Sequence, residues 1–166
     1  MPEYLVRPMP PQIAPALTAK FARVETATIG HSRHWGIMDG GIRPLLRGAR
    51  VAGTAVTLAI PAQDSTLLHH AMGLLRPGDF LVIDRLGDDK HACWGGGVSV
   101  SPGDLILADE SGVVALTPHD LEAIADAALA RQERTERNQA RMRAGEKLGD
   151  ISGATKMVLD ALKAGA

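Results

Sequence analysis

The feature that most constrains the fold is an internal echo. Pro77-Gly78-Asp79-Phe80-Leu81-Val82-Ile83-Asp84 is matched 25 residues later by Pro102-Gly103-Asp104-Leu105-Ile106-Leu107-Ala108-Asp109. Each copy is a Pro-Gly turn, four consecutive apolar residues and a terminal carboxylate. Four apolar positions without polar alternation predict strands covered on both faces, the habit of an α/β sheet. Arg50–Ile60, rich in β-branched and small apolar residues and ended by Pro61, reads as another buried strand. Between it and the first echo, Asp64-Ser65-Thr66 is placed to cap a helix through Leu67, Leu68, Ala71, Met72 and Leu75. A single repeat is too short a series for a solenoid. Convergent strand-and-turn chemistry gives the same pattern, and the echo places Asp84 and Asp109 at comparable strand ends.

Outside the echo the chain is less regular. Met1–Pro15 is proline-rich and reads as an arm, and Ala16–Val24 is weakly helical. Thr26–Leu45, rich in Gly and His, has neither helical nor strand period and reads as a structured loop. A second short strand, Val113–Leu116, follows Ser111-Gly112. Thr117-Pro118-His119-Asp120 then reads as a helix start, with a Thr cap, Pro at the first helical position and Asp at the third. Leu121, Ile124, Ala125, Ala128 and Leu129 form one apolar face, which is lost between Arg131 and Arg143. Gly149–Gly153 breaks that helix, and Ala154–Leu162 forms a short amphipathic one.

Composition narrows the class. With 18 Lys+Arg against 19 Asp+Glu the formal charge is −1, which argues against nucleic acid as main partner. The single Cys93 excludes an internal disulfide and fits a reducing compartment. No apolar run is long enough to span a bilayer, and the start lacks a basic and apolar leader pattern. A cytoplasmic α/β protein without a membrane partner is expected.

Chemistry-bearing residues concentrate after the first echo. The stretch Asp84–Val98 ends a strand, passes through charged residues including Asp88, and enters Gly95-Gly96-Gly97-Val98. Adjacent glycines let backbone N–H groups converge on an anion, although a plain turn has the same composition. The loop has neither dinucleotide-binding nor P-loop spacing. Asp84, Asp88, Asp109 and Glu110 are oxygen donors at strand–loop junctions, suited to a hard cation such as Mg²⁺. Aspartates there also serve as turn formers or helix caps. No histidine pair has zinc-motif spacing, and Cys93 beside Trp94 reads as a buried thiol or a nucleophile paired with His91.

These residues resemble the RraA-like family. The resemblance runs through Thr26-Ala27-Thr28, Met38-Asp39-Gly40-Gly41-Ile42-Arg43-Pro44, Val51–Thr57, Pro77-Gly78-Asp79, Ala92-Cys93-Trp94-Gly95-Gly96-Gly97-Val98 and Pro102–Val114. The family includes class II pyruvate aldolases acting on 4-hydroxy-4-methyl-2-oxoglutarate and 4-carboxy-4-hydroxy-2-oxoadipate, with oxaloacetate decarboxylases, and metal-free relatives that restrain a ribonuclease. The resemblance implies a layered β/β/α sandwich of the swivelling phosphohistidine-domain type, assembled as a homotrimer or hexamer with sites between subunits. It implies a small 2-oxo-acid substrate held by Gly95, Gly96, Gly97 and Val98, and Mg²⁺ or Mn²⁺ as cofactor. It divides the chain into an arm (1–15), an RraA-like α/β domain (16–117) and a C-terminal helical extension (118–166).

The sequence departs from that pattern at one point. An Arg-Asp pair about twenty residues beyond the glycine loop binds keto-acid and metal in such aldolases, and no Arg-Asp dipeptide occurs here. Val98 runs directly into Ser99-Val100-Ser101-Pro102, which belongs to a later strand in relatives. Loss of the segment between two Gly-Gly-Val repeats gives this junction and shortens the domain near 98/99. Gly96 stands where many relatives have Asp. Two functions follow as expectations: an aldolase or decarboxylase of impaired activity, with Asp84, Asp88, Asp109 or Glu110 as substitute metal ligands, or a non-catalytic binding protein of the ribonuclease-restraining type.

Overall fold

The computed structural model describes residues 4–33, 35–42, 44–60, 65–84 and 99–164. Two compact units divide the chain, residues 1–128 and 129–166. In the first, helices α1 (Pro15–Phe21) and α2 (Thr26–Gly30) precede strand β1 (Val51–Ala59), helix α3 (Thr66–Met72), and strands β2 (Asp79–Asp84), β3 (Leu105–Asp109) and β4 (Gly112–Leu116). The long helix α4 (Leu121–Arg143) begins in the first unit and runs into the second, which adds α5 (Leu148–Ile151) and α6 (Ala154–Ala164).

The four strands form one sheet in the order β2-β1-β3-β4. β1 pairs parallel with β2, from Thr54↔Asp79 to Ala59↔Asp84, and antiparallel with β3, from Val51↔Ala108 to Thr54↔Leu105. A hairpin joins β3 to β4, closing at Asp109↔Gly112. Thr54 is therefore the one residue of β1 with strand partners on both sides. The expected mixed α/β fold with C-terminal helices is the one observed. β3, inside the sheet, is buried almost throughout, while β2 at the edge is only half-buried and exposed at its end.

Both echoes build the same turn. In Arg76-Pro77-Gly78-Asp79 the Asp79 N–H donates to the Arg76 carbonyl at 3.0 Å, and in Ser101-Pro102-Gly103-Asp104 the Asp104 N–H donates to the Ser101 carbonyl at 3.1 Å. Gly78 and Gly103 adopt φ of +90° and +96°, the left-handed position of a Pro-Gly turn that only glycine enters without strain. Each Asp then turns back: the Arg76 and Ser101 amides donate to Asp79 Oδ2 and Asp104 Oδ2, both at 2.8 Å. The two turns grip adjacent residues of β1. Thr54 N–H donates to the Gly78 carbonyl, while Ala55 donates to the Asp104 carbonyl and accepts from Gly103 N–H.

Side chains alternate across the sheet as the strand period requires. On one face Ala55, Ile106 and Ala115 form a buried cluster packed by Met38, Phe80, Val82, Val100 and Val113. On the other, Thr54 Oγ1 accepts the Ile13 N–H at 2.9 Å, which seats the chain entering α1. Gly36–Met38 docks on β4 through Ala115 N–H to the Gly36 carbonyl and Met38 N–H to the Val113 carbonyl.

Three boundaries differ from expectation. Thr117–Asp120 does not begin a helix: Asp120 takes φ +60°, and α4 starts at Leu121 with Ile124 N–H on the Asp120 carbonyl. α4 ends near Gly145, whose φ of +98° terminates it before the expected Gly149 break. Within the expected loop 26–45, α2 forms. It is too short for a period to register, and its first N–H is satisfied from another part of the chain. Ser65 sits at the N-cap of α3 without a side-chain cap bond, and Asp64 lies outside the described residues.

Candidate functional site

The strand-end carboxylates fall into three environments. Asp109 is 6% exposed and accepts three hydrogen bonds: Thr26 N–H on Oδ2 at 2.8 Å, Thr26 Oγ1–H on Oδ1 at 2.5 Å, and Ser111 N–H on Oδ1 at 2.8 Å. Burial alone pushes this carboxyl up. The Thr26 and Ser111 bonds, with the Arg50 charge, outweigh it and hold the group below its ordinary value. Asp109 thus caps α2 from 83 residues away and closes the β3–β4 turn. Glu110, next in sequence, is exposed and accepts the Gly48 N–H on Oε1 at 3.0 Å.

Asp84 lies elsewhere. It ends β2 opposite Ala59, is exposed, and its carbonyl accepts the Ile60 N–H at 2.9 Å. Because β2 runs parallel to β1 and β3 antiparallel, Asp84 and Asp109 stand at opposite ends of β1. The separation is roughly 30 Å of strand at about 3.3 Å per residue. Equivalent places in the repeat are opposite places in the sheet. Within one chain these two carboxylates do not meet at a single ion.

Asp88, Gly95, Gly96, Gly97 and Val98, with His91 and Cys93, lie outside the described residues. Among the described residues no group of three or more His, Cys, Asp and Glu is placed to hold a metal ion. Asp109 has both oxygens engaged, and among the described predicted ligands only its neighbour Glu110 lies at its end of the sheet. The described carboxylates do not fit Mg²⁺ or Mn²⁺ as a shared ligand set.

Sequence reasoning missed the partners that give these residues their roles. Thr26 and Arg50 surround Asp109, and nothing local announces a cap supplied across 83 residues. Asp79 is the second missed carboxylate. Burial again pushes it up, but the Arg76 guanidinium, the Arg76 N–H and Gln12 Nε2 hold it low. Arg76 Nη2 also donates to the Pro10 carbonyl at 2.8 Å, and Gln12 Nε2 to the Pro77 carbonyl at 3.0 Å. These bonds fasten the N-terminal arm to the first Pro-Gly turn. No described helix is long and apolar enough to cross a membrane.

A four-stranded mixed sheet with a parallel β1–α3–β2 unit, an antiparallel hairpin and flanking helices defines an α/β protein of the RraA fold. Residues 22–97, a little under half of the chain, match the family model described as RraA-like, Aldolase/RraA. The matched stretch stops one residue before Val98. Three solved structures share the fold. An uncharacterized protein from Pseudomonas syringae pv. tomato is 16% identical, with a TM-score of 0.72 over 92% of this chain and 100% of that one. Streptomyces coelicolor RraAS2, described as an unusual member of the RNase ES inhibitor RraA protein family, is 20% identical, with a TM-score of 0.64 over 78% and 98%. A chain described among novel cellulases from gut-associated microbes is 15% identical, with a TM-score of 0.61 over 75% and 88%. Relatives of such different descriptions on one fold leave function to the site.

Proposed function

We propose that this chain is an RraA-like binding or regulatory protein in which pyruvate-aldolase turnover is lost or severely reduced. The observation that carries this reading is the placement of Asp84 and Asp109 at opposite ends of β1, with Asp109 consumed as a cap. It is joined by the absence of any Arg-Asp dipeptide in the sequence. Interactions of that kind are each worth a few kcal/mol in a transition state, so losing two of them costs far more than a point mutation.

The partner surface in this reading is the far part of α4. Arg131, Arg134, Arg137 and Arg141 are spaced three, three and four residues apart, which aligns them on one helical stripe. Arg141 pairs with Glu146, and Arg137 lies 3.8 Å from Glu133. Residues 129–166 hold eight Lys+Arg against five Asp+Glu, while residues 1–128 hold ten against fourteen. The excess of positive charge in residues 129–166 suits an acidic protein surface. The reading also includes self-association, since β2 ends the sheet with half-exposed apolar residues along it. Light scattering should return a mass above one chain, and a monomer at micromolar concentration would count against that element.

With Mg²⁺ or Mn²⁺ supplied, the purified chain should release no pyruvate from 4-hydroxy-4-methyl-2-oxoglutarate or oxaloacetate beyond background in a coupled assay. Chelator-sensitive turnover at ordinary enzyme rates, about 1 s⁻¹ or faster, would sink the proposal and support a metal aldolase completed between subunits. The regulatory arm is tested on an RNase ES-type ribonuclease, where inhibition by the full chain should disappear when Arg131, Arg134 and Arg137 are changed to Glu.

A further inference from the structure

Among the described residues, the half of β1 that pairs with β2 has no strand on its other side. Thr54 and Ile60 donate their amides toward β2, to the Gly78 and Asp84 carbonyls, whereas Ala55 donates to Asp104 on the opposite side. By the same two-residue period the N–H and C=O groups of Thr57 and Ala59 point the way Ala55 does. The β3 ladder stops at Thr54, so no described strand meets them.

Beside that edge lies a cavity of about 420 Å³, walled by Val56–Ile60 of β1, one side of α3 and the arm Tyr4–Pro10. This is the size range of small-molecule sites. Leu5, Val6, Leu58, Ile60, Leu67 and Leu74 make its lining chiefly aliphatic. Among the described lining residues Arg7 and His70 carry the basic side chains, and none is Asp or Glu. Neither of those side chains is hydrogen-bonded or ion-paired to another described residue. The arm is fastened to the first Pro-Gly turn at Pro10 and Gln12.

We propose that this cavity binds a monocarboxylic acid with a short hydrocarbon body. The aliphatic walls take the chain, and the carboxylate lies toward Arg7, His70 and the open amides of the β1 edge. Apolar walls alone accept any hydrocarbon. Arg7, with no carboxylate beside it among the described lining residues, selects an anion among them. This inference stands whether or not the protein releases pyruvate.

Octanoate and its neutral analogue octan-1-ol, titrated into the full chain, separate the two contributions. Octanoate should bind saturably at one site, with NMR shifts centred on Val56–Ile60, and octan-1-ol about tenfold more weakly. Arg7→Ala should bring octanoate down to the level of octan-1-ol and leave octan-1-ol unchanged. Ala71→Trp, which fills the cavity, should abolish both. Arg7 sits on an extended, exposed arm, so its variant tests the proposal even if the Trp variant does not fold. The proposal fails if octanoate does not saturate, if acid and alcohol bind equally, or if Arg7→Ala changes nothing. It also fails if the Val56–Ile60 shifts follow protein concentration alone, which would make a second copy the occupant.

Discussion

The two echo strands start from the same turn and arrive at opposite environments. In both turns glycine takes the left-handed position and the aspartate accepts the amide three residues back. Beyond the turn, β2 runs parallel to β1 at the edge of the sheet, and β3 runs antiparallel inside it. One terminal carboxylate is exposed, while the other is buried under three hydrogen bonds. Local sequence sets the turn, but direction and neighbours are set by what precedes it. The α3 crossover brings β2 back parallel to β1, whereas β3 enters antiparallel to it. A motif repeated in sequence is therefore not a motif repeated in space.

The largest test of this contrast is at Asp109. Asp109→Ala leaves two amides and a hydroxyl without their acceptor and should cost about 3 kcal/mol in denaturant unfolding. If the cost is near zero, the capping role is wrong. Acid adds a direction to the same test. Asp109 titrates lower folded than its usual 3.8, so its contribution is complete above that value and is lost as pH falls through the folded value. Stability should fall between about pH 5 and pH 2, and Asp109→Asn should show a shallower fall.

The two turns share one bond and differ in the rest. Asp104→Ala is expected to cost about 2 kcal/mol, since it removes a buried acceptor from the turn. Asp79→Ala should cost more and also speed proteolysis within residues 4–12, because Asp79 accepts from the Arg76 guanidinium and from Gln12 as well and so anchors the arm. Equal costs would mean that those extra contacts contribute nothing. Asp84→Ala, on the exposed strand end, is expected to cost less than Asp109→Ala.

Much of the fold was readable from residue order. β1, the helix after it, both echo strands and the hairpin strand lie within a few residues of their predicted spans, because apolar runs bounded by Pro-Gly are local signals. What was not readable depends on distance along the chain. α2 is stabilised by a carboxylate 83 residues away, and β2 differs from β3 only through its neighbours. At Thr117–Asp120 the sequence favours a capped start, yet Asp120 adopts a left-handed conformation and the helix begins later. Among site residues, Asp109 and Glu110 were placed correctly at a strand end. The two ends of the sheet could not be told apart without the pairing directions.

The stagger of β1 has a mechanical consequence. Its two strand ladders overlap at Thr54, with the Gly103–Asp104 turn holding Ala55 just beyond, so they run nearly in series rather than braced side by side. The β1–β2 ladder spans about 25 residues of chain and the β1–β3 ladder about 50, so the first closes the smaller loop and loses less entropy on forming. Amide hydrogen exchange on β1 would therefore divide into two sets, odd-numbered residues before Thr54 reporting the opening of one ladder and even-numbered residues after it the other.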